Sequence, residues 1–304
     1  MSMNVIMGAV TQGFLWSIMA IGVYISYRIL DISDLTSEGS FTLGAATMAA
    51  LIVMGVNPFI ATFMAAIAGA IAGFITGTLH TKLKIPTLLS GILVMTGVYS
   101  VNLRIMGKAN ISLNQSETML TILKDKITAI FPALTDIMTR ERDVAIFVGV
   151  IGAALVIFLV WWLMNTEFGY AIRATGNNEK MIRASGVNTN TTKVVGLMLG
   201  NGLVALSGAL VGQYNGYADV GMGIGAIVIG LASVIIGEVF FGRKHLLLSL
   251  IGIVVGSIIY RLIVAIVLQA GLPANDMKLF TAILVAIALA LPMLKDSILA
   301  KKGD

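Results

Sequence analysis

Apolar runs about twenty residues long follow one another along nearly the whole chain, and this constrains what it can become more than anything else in the sequence. Crossing about 30 Å of hydrocarbon takes about 20 helical residues. Runs of that kind lie near 5–27, 40–56, 58–79, 86–103, 144–164, 194–214, 221–241, 246–268 and 278–294. Only 12% of the 304 residues are charged and the mean hydropathy is +0.96, too little polar surface to cover a soluble particle of this size. The runs are continuous, whereas barrel strands alternate apolar and polar residues. The fold expected is therefore an all-α polytopic membrane protein of about eight to ten transmembrane helices, at least one of them broken or half-length, in a single transmembrane domain over 1–304. The run 40–56, short and rich in Gly, Ala and Thr, is the candidate half-helix or re-entrant segment.

Residues 1–4 carry no basic lead-in and the first run continues past twenty residues, so it reads as a span and not a removable signal. Glycines recur at four-residue spacing in Gly69, Gly73 and Gly77, Gly196 and Gly200, Gly208 and Gly212, and Gly252 and Gly256. Such spacing lets helix backbones approach closely in lipid. With loop 165–193 and the C-terminal tail placed inside, twelve Lys and Arg fall on the cytoplasmic side against seven outside, as orientation by positive charge requires. The N-terminus then lies outside if 40–56 crosses. The net charge of +5 is spread between spans, with no aromatic-interleaved basic stripe, so nucleic acid is not an expected partner.

The long external segment 104–143 places Leu120, Leu123, Ile127, Ile130, Leu134 and Ile137 at helical spacing, which predicts an amphipathic surface helix bent at Pro132. It either lies on the bundle or offers a ledge to an external partner. Catalytic signatures are missing: no phosphate-binding loop, no H-E-x-x-H, no G-x-S-x-G, and no cysteine. His80 and His245 both fall at span ends, more in keeping with interfacial residues than with metal ligands. No catalytic, metal-binding or cofactor-binding residue is expected.

Three polar stretches interrupt the apolar pattern. In 31–44, three acids, five hydroxyl residues and two glycines sit between two runs with little room for an outside loop. This reads either as a broken helix lining a pathway, with Asp34, Glu38, Gly39 and Ser40 at the break and Glu38 capping the next half-helix, or as an ordinary capped loop. The stretch 213–226, with Tyr214, Asn215 and Asp219 ahead of a glycine cluster, echoes it and suggests two related halves, or is a glycine-rich external turn. Arg261 lies inside an apolar run, where a charge is costly; Glu238 is its best partner by type, and snorkelling is the alternative. In the cytoplasmic loop, Asn177 or Asn178 can cap a short helix with Met181, Ile182 and Ser185 on one face, and Gly186 can close it. A loop this ordered is either a docking surface or a solvated connector.

The pattern Gly169, Arg173-Ala174, Gly176, Asn178, Ala184, Gly186 and Asn188, followed by a small-residue span, resembles the cytoplasmic loop of permease subunits of bacterial ABC importers of the branched-chain amino acid class. Asp34 to Gly44 is similar to the polar-Glu-Gly segment after their first span, and Gly225-Ala226 through Gly237-Glu238 to their late glycine-rich span. The resemblance implies an inner-membrane permease of the importer bundle type, moving an amino acid by alternating access. It implies two permease copies, a cytoplasmic ATPase pair holding ATP and magnesium, and an external solute-binding protein or lipoprotein. It makes 167–190 the coupling loop, with Gly169, Arg173, Ala174, Gly176, Asn178, Met181, Ile182 and Gly186 as its contact positions, and sets Glu38-Gly39 beside the pathway. The run Asp-Leu-Thr-Ser ahead of Glu38 departs from the usual branched-chain permease and opens aromatic amino acids as substrates. The alternatives are a secondary transporter or channel acting alone, or an ABC permease for sugars or nucleosides.

Overall fold

The computed structural model describes residues 3–130, 141–243 and 245–271, together with 276, 279–283 and 286. Helix α1 (Met3–Tyr24) continues into a π-helical turn (Ile25–Ile29); α2 (Thr36–Val53), α3 (Pro58–Thr81) and α4 (Thr87–Met106) come next. Strand β1 (Asn110–Ser112), α5 (Met119–Ile130), α6 (Glu141–Met164), α7 (Glu167–Asn177) and α8 (Glu179–Ala184) lead to α9 (Thr189–Asn215), β2 (Tyr217–Asp219), α10 (Ala226–Phe241) and α11 (Leu246–Gln269). Among the described residues six helices are long and apolar enough to cross a membrane: Met3–Ile29, Pro58–Thr81, Thr87–Met106, Asp143–Met164, Thr189–Asn215 and Leu246–Gln269. The ninth expected run, 278–294, falls mostly outside the described residues, and Pro132, Leu134 and Ile137 of the external helix fall outside them altogether.

α9 is the axis of the bundle. Lipid gives apolar side chains no reason to prefer each other, so close contact has to come from shape, and small residues supply it. On α3, Gly69, Gly73 and Gly77 lie against Asn201, Leu197 and Val194 of α9, with no room for a Cβ at any of the three. Gly44 of α2 meets the backbone of Ala205, and Gly208 of α9 meets that of Phe41. α10 and α11 pack through Gly237 and Gly252 in the same way. The outer faces of α3, α4 and α6 keep large apolar side chains exposed, among them Phe63, Leu93 and Phe158, as a lipid-facing surface does.

Two helices depart from simple crossing. α2 begins at Thr36, four residues earlier than the apolar run, and is buried along almost its whole length. α10 begins at Ala226, because 221–225 form turns, and its 16 residues span about 24 Å. At one end of the bundle sit α7 and α8; at the other are Met3, the antiparallel β1–β2 pair with Asn110 opposite Asp219, and α5. α5 is held there by Gln213, whose Oε1 accepts from the Met119 N–H (2.8 Å) while its Nε2 donates to Thr62 Oγ1 (2.7 Å).

Candidate functional site

After Ile29 the chain leaves helical geometry, turns through Asp31 at φ 56, and re-enters a helix at Thr36. The break lies inside the protein: Asp34 is 2% exposed, and Thr36 and Ser40 are fully enclosed. Buried polar groups must find partners, and here each does. Asp34 Oδ1 accepts from the Thr36 N–H (2.9 Å) and its Oδ2 from Asn201 Nδ2 (2.6 Å), while Ser40 Oγ donates to Asn201 Oδ1 (2.7 Å). The Thr36 and Thr76 hydroxyls bond at 2.7 Å. Asp34 and Ser40 therefore belong to a polar seam joining α2, α3 and α9.

Glu38 does not cap the helix expected after it, since α2 has already begun two residues earlier. Its Oε1 accepts instead from the N–H of Gly225 (3.0 Å), the residue ahead of α10, and Thr42 Oγ1 accepts from the Gly223 N–H (3.0 Å). A carboxylate at a helix N-terminus meets free N–H groups and the positive end of the dipole. The first turns of α2 and α10 thus meet at a half-buried polar contact. Beside them is a cavity of about 330 Å³ bounded by Glu38, Gly39, Thr42, Tyr99, Asn102 and Ile224. Asn102, 1% exposed, has no hydrogen-bond partner for its Oδ1 among the described residues.

The stretch 213–226 is divided by the fold, and only its last part reaches Glu38. Asn215 ends α9, where Gly216 turns the chain at φ 74; Asp219 is in β2, its Oδ1 accepting from the Gly221 N–H (2.8 Å). Tyr214 faces a different cavity, with Gly8, Gln12 and Arg261. The expected Arg261–Glu238 pair does not form, because the two lie toward opposite ends of the bundle. Glu238, with 6% of its side chain exposed, is clasped by Arg28 (Nε to Oε1, 2.7 Å) and Arg243 (Nε to Oε2, 2.9 Å). Arg261 lies over the Trp16 ring at 4.0 Å and donates to Gln12 Oε1 (3.1 Å).

At the end carrying α7 and α8 the loop is built rigidly. Thr166 Oγ1 caps α7 by accepting from the Gly169 N–H (3.2 Å). Gly176 leaves no space for a Cβ against the carbonyl of Ile29, so the last turn of α7 rests on the end of α1. Asn178 Oδ1 accepts from the Met181 N–H (3.0 Å) to cap α8, and Gly186 at φ 86 closes it. α8 buries none of its residues, Met181 is 55% exposed, and Ile182 is half-buried. Glu179 accepts from Lys193 Nζ (2.7 Å) and Arg183 Nη2 (2.9 Å), tying α8 to α9. The Lys193 hydrogen bond, chiefly, holds its carboxyl below the usual carboxylate range. Arg173, stacked on Tyr170 at 5.6 Å with Ala174 half-buried next to it, borders a cavity of about 530 Å³ shared with Arg28, Asp31, Glu238 and Arg243. Asn201 and Asn102 were not singled out by the sequence, each being one polar residue within an apolar run without spacing to mark it; Thr42 falls in the polar stretch 31–44 with no role of its own assigned there.

The profile of the family described as "Branched-chain amino acid transport system / permease component" matches residues 5–289. A tyrosine transport system permease protein of Clostridioides difficile is 41% identical over 288 residues, covering 95% of this chain and 91% of its own length. An uncharacterized protein of Rickettsia prowazekii is 32% identical over 292 residues, 95% of this chain and 98% of its own. Among solved structures, a chain of PsaBC from Streptococcus pneumoniae, in complex with Fab, shares the fold: TM-score 0.52 at 12% identity, over 94% of this chain and 89% of that one.

Proposed function

The chain belongs to the branched-chain amino acid transport permease family, and from that premise we propose that it is the passage-forming subunit of an ATP-driven importer for an amino acid, with aromatic amino acids the favoured substrates. As a permease it sits in the bacterial inner membrane and crosses it several times. The observation that carries the reading is α8: a helix capped at both ends, bonded to α9 through Glu179, yet burying none of its own residues. A segment so ordered and so uncovered suits a groove on another protein, here a cytoplasmic ATPase chain. In this reading Gly176, pressed on the carbonyl of Ile29, passes ATPase movement to the end of α1 and on to the break at 31–35. The cavity at Glu38, Tyr99 and Asn102 then opens to one side or the other as the bundle reorients against a second permease copy. An external binding protein delivers the solute at the opposite end.

The aromatic preference rests on the likeness to the tyrosine transport permease and on the lining itself. Glu38 suits an α-ammonium group, the Asn102 carbonyl a phenolic hydroxyl, and Tyr99, Met95 and Ile224 an aromatic ring. A transporter acting alone is disfavoured, since Asp34 and Glu238 are engaged by fixed partners. Affinity purification of the tagged chain from native membranes tests the assembly. An ATPase chain should come with it, and Met181→Asp should strip that chain away while the permease stays folded. Recovery of the permease with no ATPase chain defeats the reading. ATP-dependent tyrosine uptake into vesicles of the complex, lowered at least about tenfold by Asn102→Leu, tests the substrate.

A further inference from the structure

Arg261 is left over by the transport reading, and its surroundings are unusual for a guanidinium. It sits well inside α11, directly after the buried Tyr260. A charged group at such a position normally meets another charge or a carbonyl. Here the groups it meets are one neutral amide, Gln12, at 3.1 Å, the face of Trp16 at 4.0 Å and the neighbouring Tyr260 hydroxyl, none of them a carboxylate. Its Nε and Nη2 are enclosed and have no hydrogen-bond partner among the described residues. A guanidinium offers five N–H donors in a fixed fork suited to a carboxylate or phosphate, and most of that capacity is unused.

Next to it is a cavity of about 400 Å³ between α1, α11 and the end of α9, in the size range of small-molecule sites. Val5, Ala9, Val264 and Leu268 make its walls apolar and Arg261 gives it one charge. It reaches toward Gln269 and Val5, the helix ends remote from α7 and α8. We propose that Arg261 and Gln12 form an oxyanion seat. It takes the carboxylate or phosphate of a molecule whose apolar body fills the space between α1 and α11. Turning the terminal torsions of Arg261 away from Trp16 presents the two unused nitrogens to that oxyanion, while Gln12 holds the third. Two sources share this chemistry, a small amphiphilic carboxylate and the headgroup of an anionic lipid. The seat is separate from the Glu38 cavity and needs neither ATPase nor ATP.

The test uses the purified full chain, in detergent and in nanodiscs. In detergent, 3-phenylpropionate should raise the unfolding temperature while its uncharged isostere 3-phenylpropanamide does not, and Arg261→Gln should weaken the apparent affinity at least tenfold. In nanodiscs of phosphatidylcholine with a minor share of phosphatidylglycerol, native mass spectrometry reads the lipid arm: phosphatidylglycerol kept by the wild type and lost from Arg261→Gln assigns the seat to a headgroup. Should Arg261→Gln not fold, Arg261→Lys, which keeps the charge and loses the fork, carries the same comparison with a three- to tenfold loss. If the acid and the amide shift the wild type alike, and lipid retention does not depend on Arg261, the proposal is overturned.

Discussion

Asn201 satisfies groups from two other segments at once: its Nδ2 donates to Asp34 and its Oδ1 accepts from Ser40. Asn201→Leu keeps the branched outline and removes both bonds, taking their partner from the buried Asp34 Oδ2 and from the buried Ser40 hydroxyl. Stranding a buried polar group costs about 1–3 kcal/mol, and more where it is charged. Asn201→Leu should therefore lower the unfolding temperature in detergent well beyond Ser40→Ala, which loses one neutral bond worth about 1 kcal/mol. Equal melting of the two variants and the wild type would dismiss the seam. The sequence marks Asp34 and Ser40 through their clustering with other polar residues between two apolar runs. It does not mark Asn201, a single amide in a small-residue span, whose partner is 167 positions away. Spacing along a chain reports neighbours on one helix, not groups brought together by packing.

α8 makes a prediction at the scale of an element. Glu179 is held below the usual carboxylate range first by its hydrogen bond to Lys193, with Thr189 and Arg183 adding to it. A carboxyl whose pKa is lower folded than unfolded lends stability above its unfolded value, about 4.3, and that contribution fades as pH falls through the lower, folded value. Hydrogen exchange over 179–184, corrected for intrinsic rates, should show α8 well protected at pH 7 and opening in acid; Glu179→Gln should open it at both. Asn178→Ala should act alike through the lost cap, worth about 1 kcal/mol. Both caps of α8 were legible, because an Asn before a short helix and a Gly after it act locally. The starts of α2 and α10 were not: the apolar runs suggest 40 and 221, whereas the helices begin at 36 and 226. Gly225 and Gly223 find their acceptors on Glu38 and Thr42, more than 180 residues earlier. The glycine spacing on α3 was legible as a packing face but not as to its partner. Gly73→Val, which must displace the backbone of Leu197, should abolish a monodisperse preparation, while Gly97→Val, with open space around it, should leave the elution profile unchanged.

Over the whole molecule, α7 and α8 join the bundle through the Gly176–Ile29 contact and the Glu179–Lys193 pair, and beside that junction the Arg28–Glu238–Arg243 cluster holds two of its helices together. Arg28 closes the first span, Glu238 lies in the last turn of α10, and Arg243 comes just after it, so one enclosed carboxylate ties α1 to α10 beside Arg173 and Gly176. The long crossing helices were readable from apolar run length alone, since hydrocarbon thickness sets it. This tie was not, because it depends on which helix ends meet; residue type alone favoured Arg261 as the partner of Glu238. Arg28 keeps 31% of its side chain exposed, so breaking the tie should cost less than the about 3–5 kcal/mol of a fully buried pair, and Glu238→Gln should still fold and reach the membrane. If the cluster carries movement from α7 to the spans, Glu238→Gln should lower ATP-dependent uptake at least about tenfold while the ATPase chain still co-purifies, because α8 is untouched. Deleting 178–186 should lose uptake and ATPase together. Full uptake by Glu238→Gln would mean that movement passes from α7 to α1 through the Gly176 contact alone.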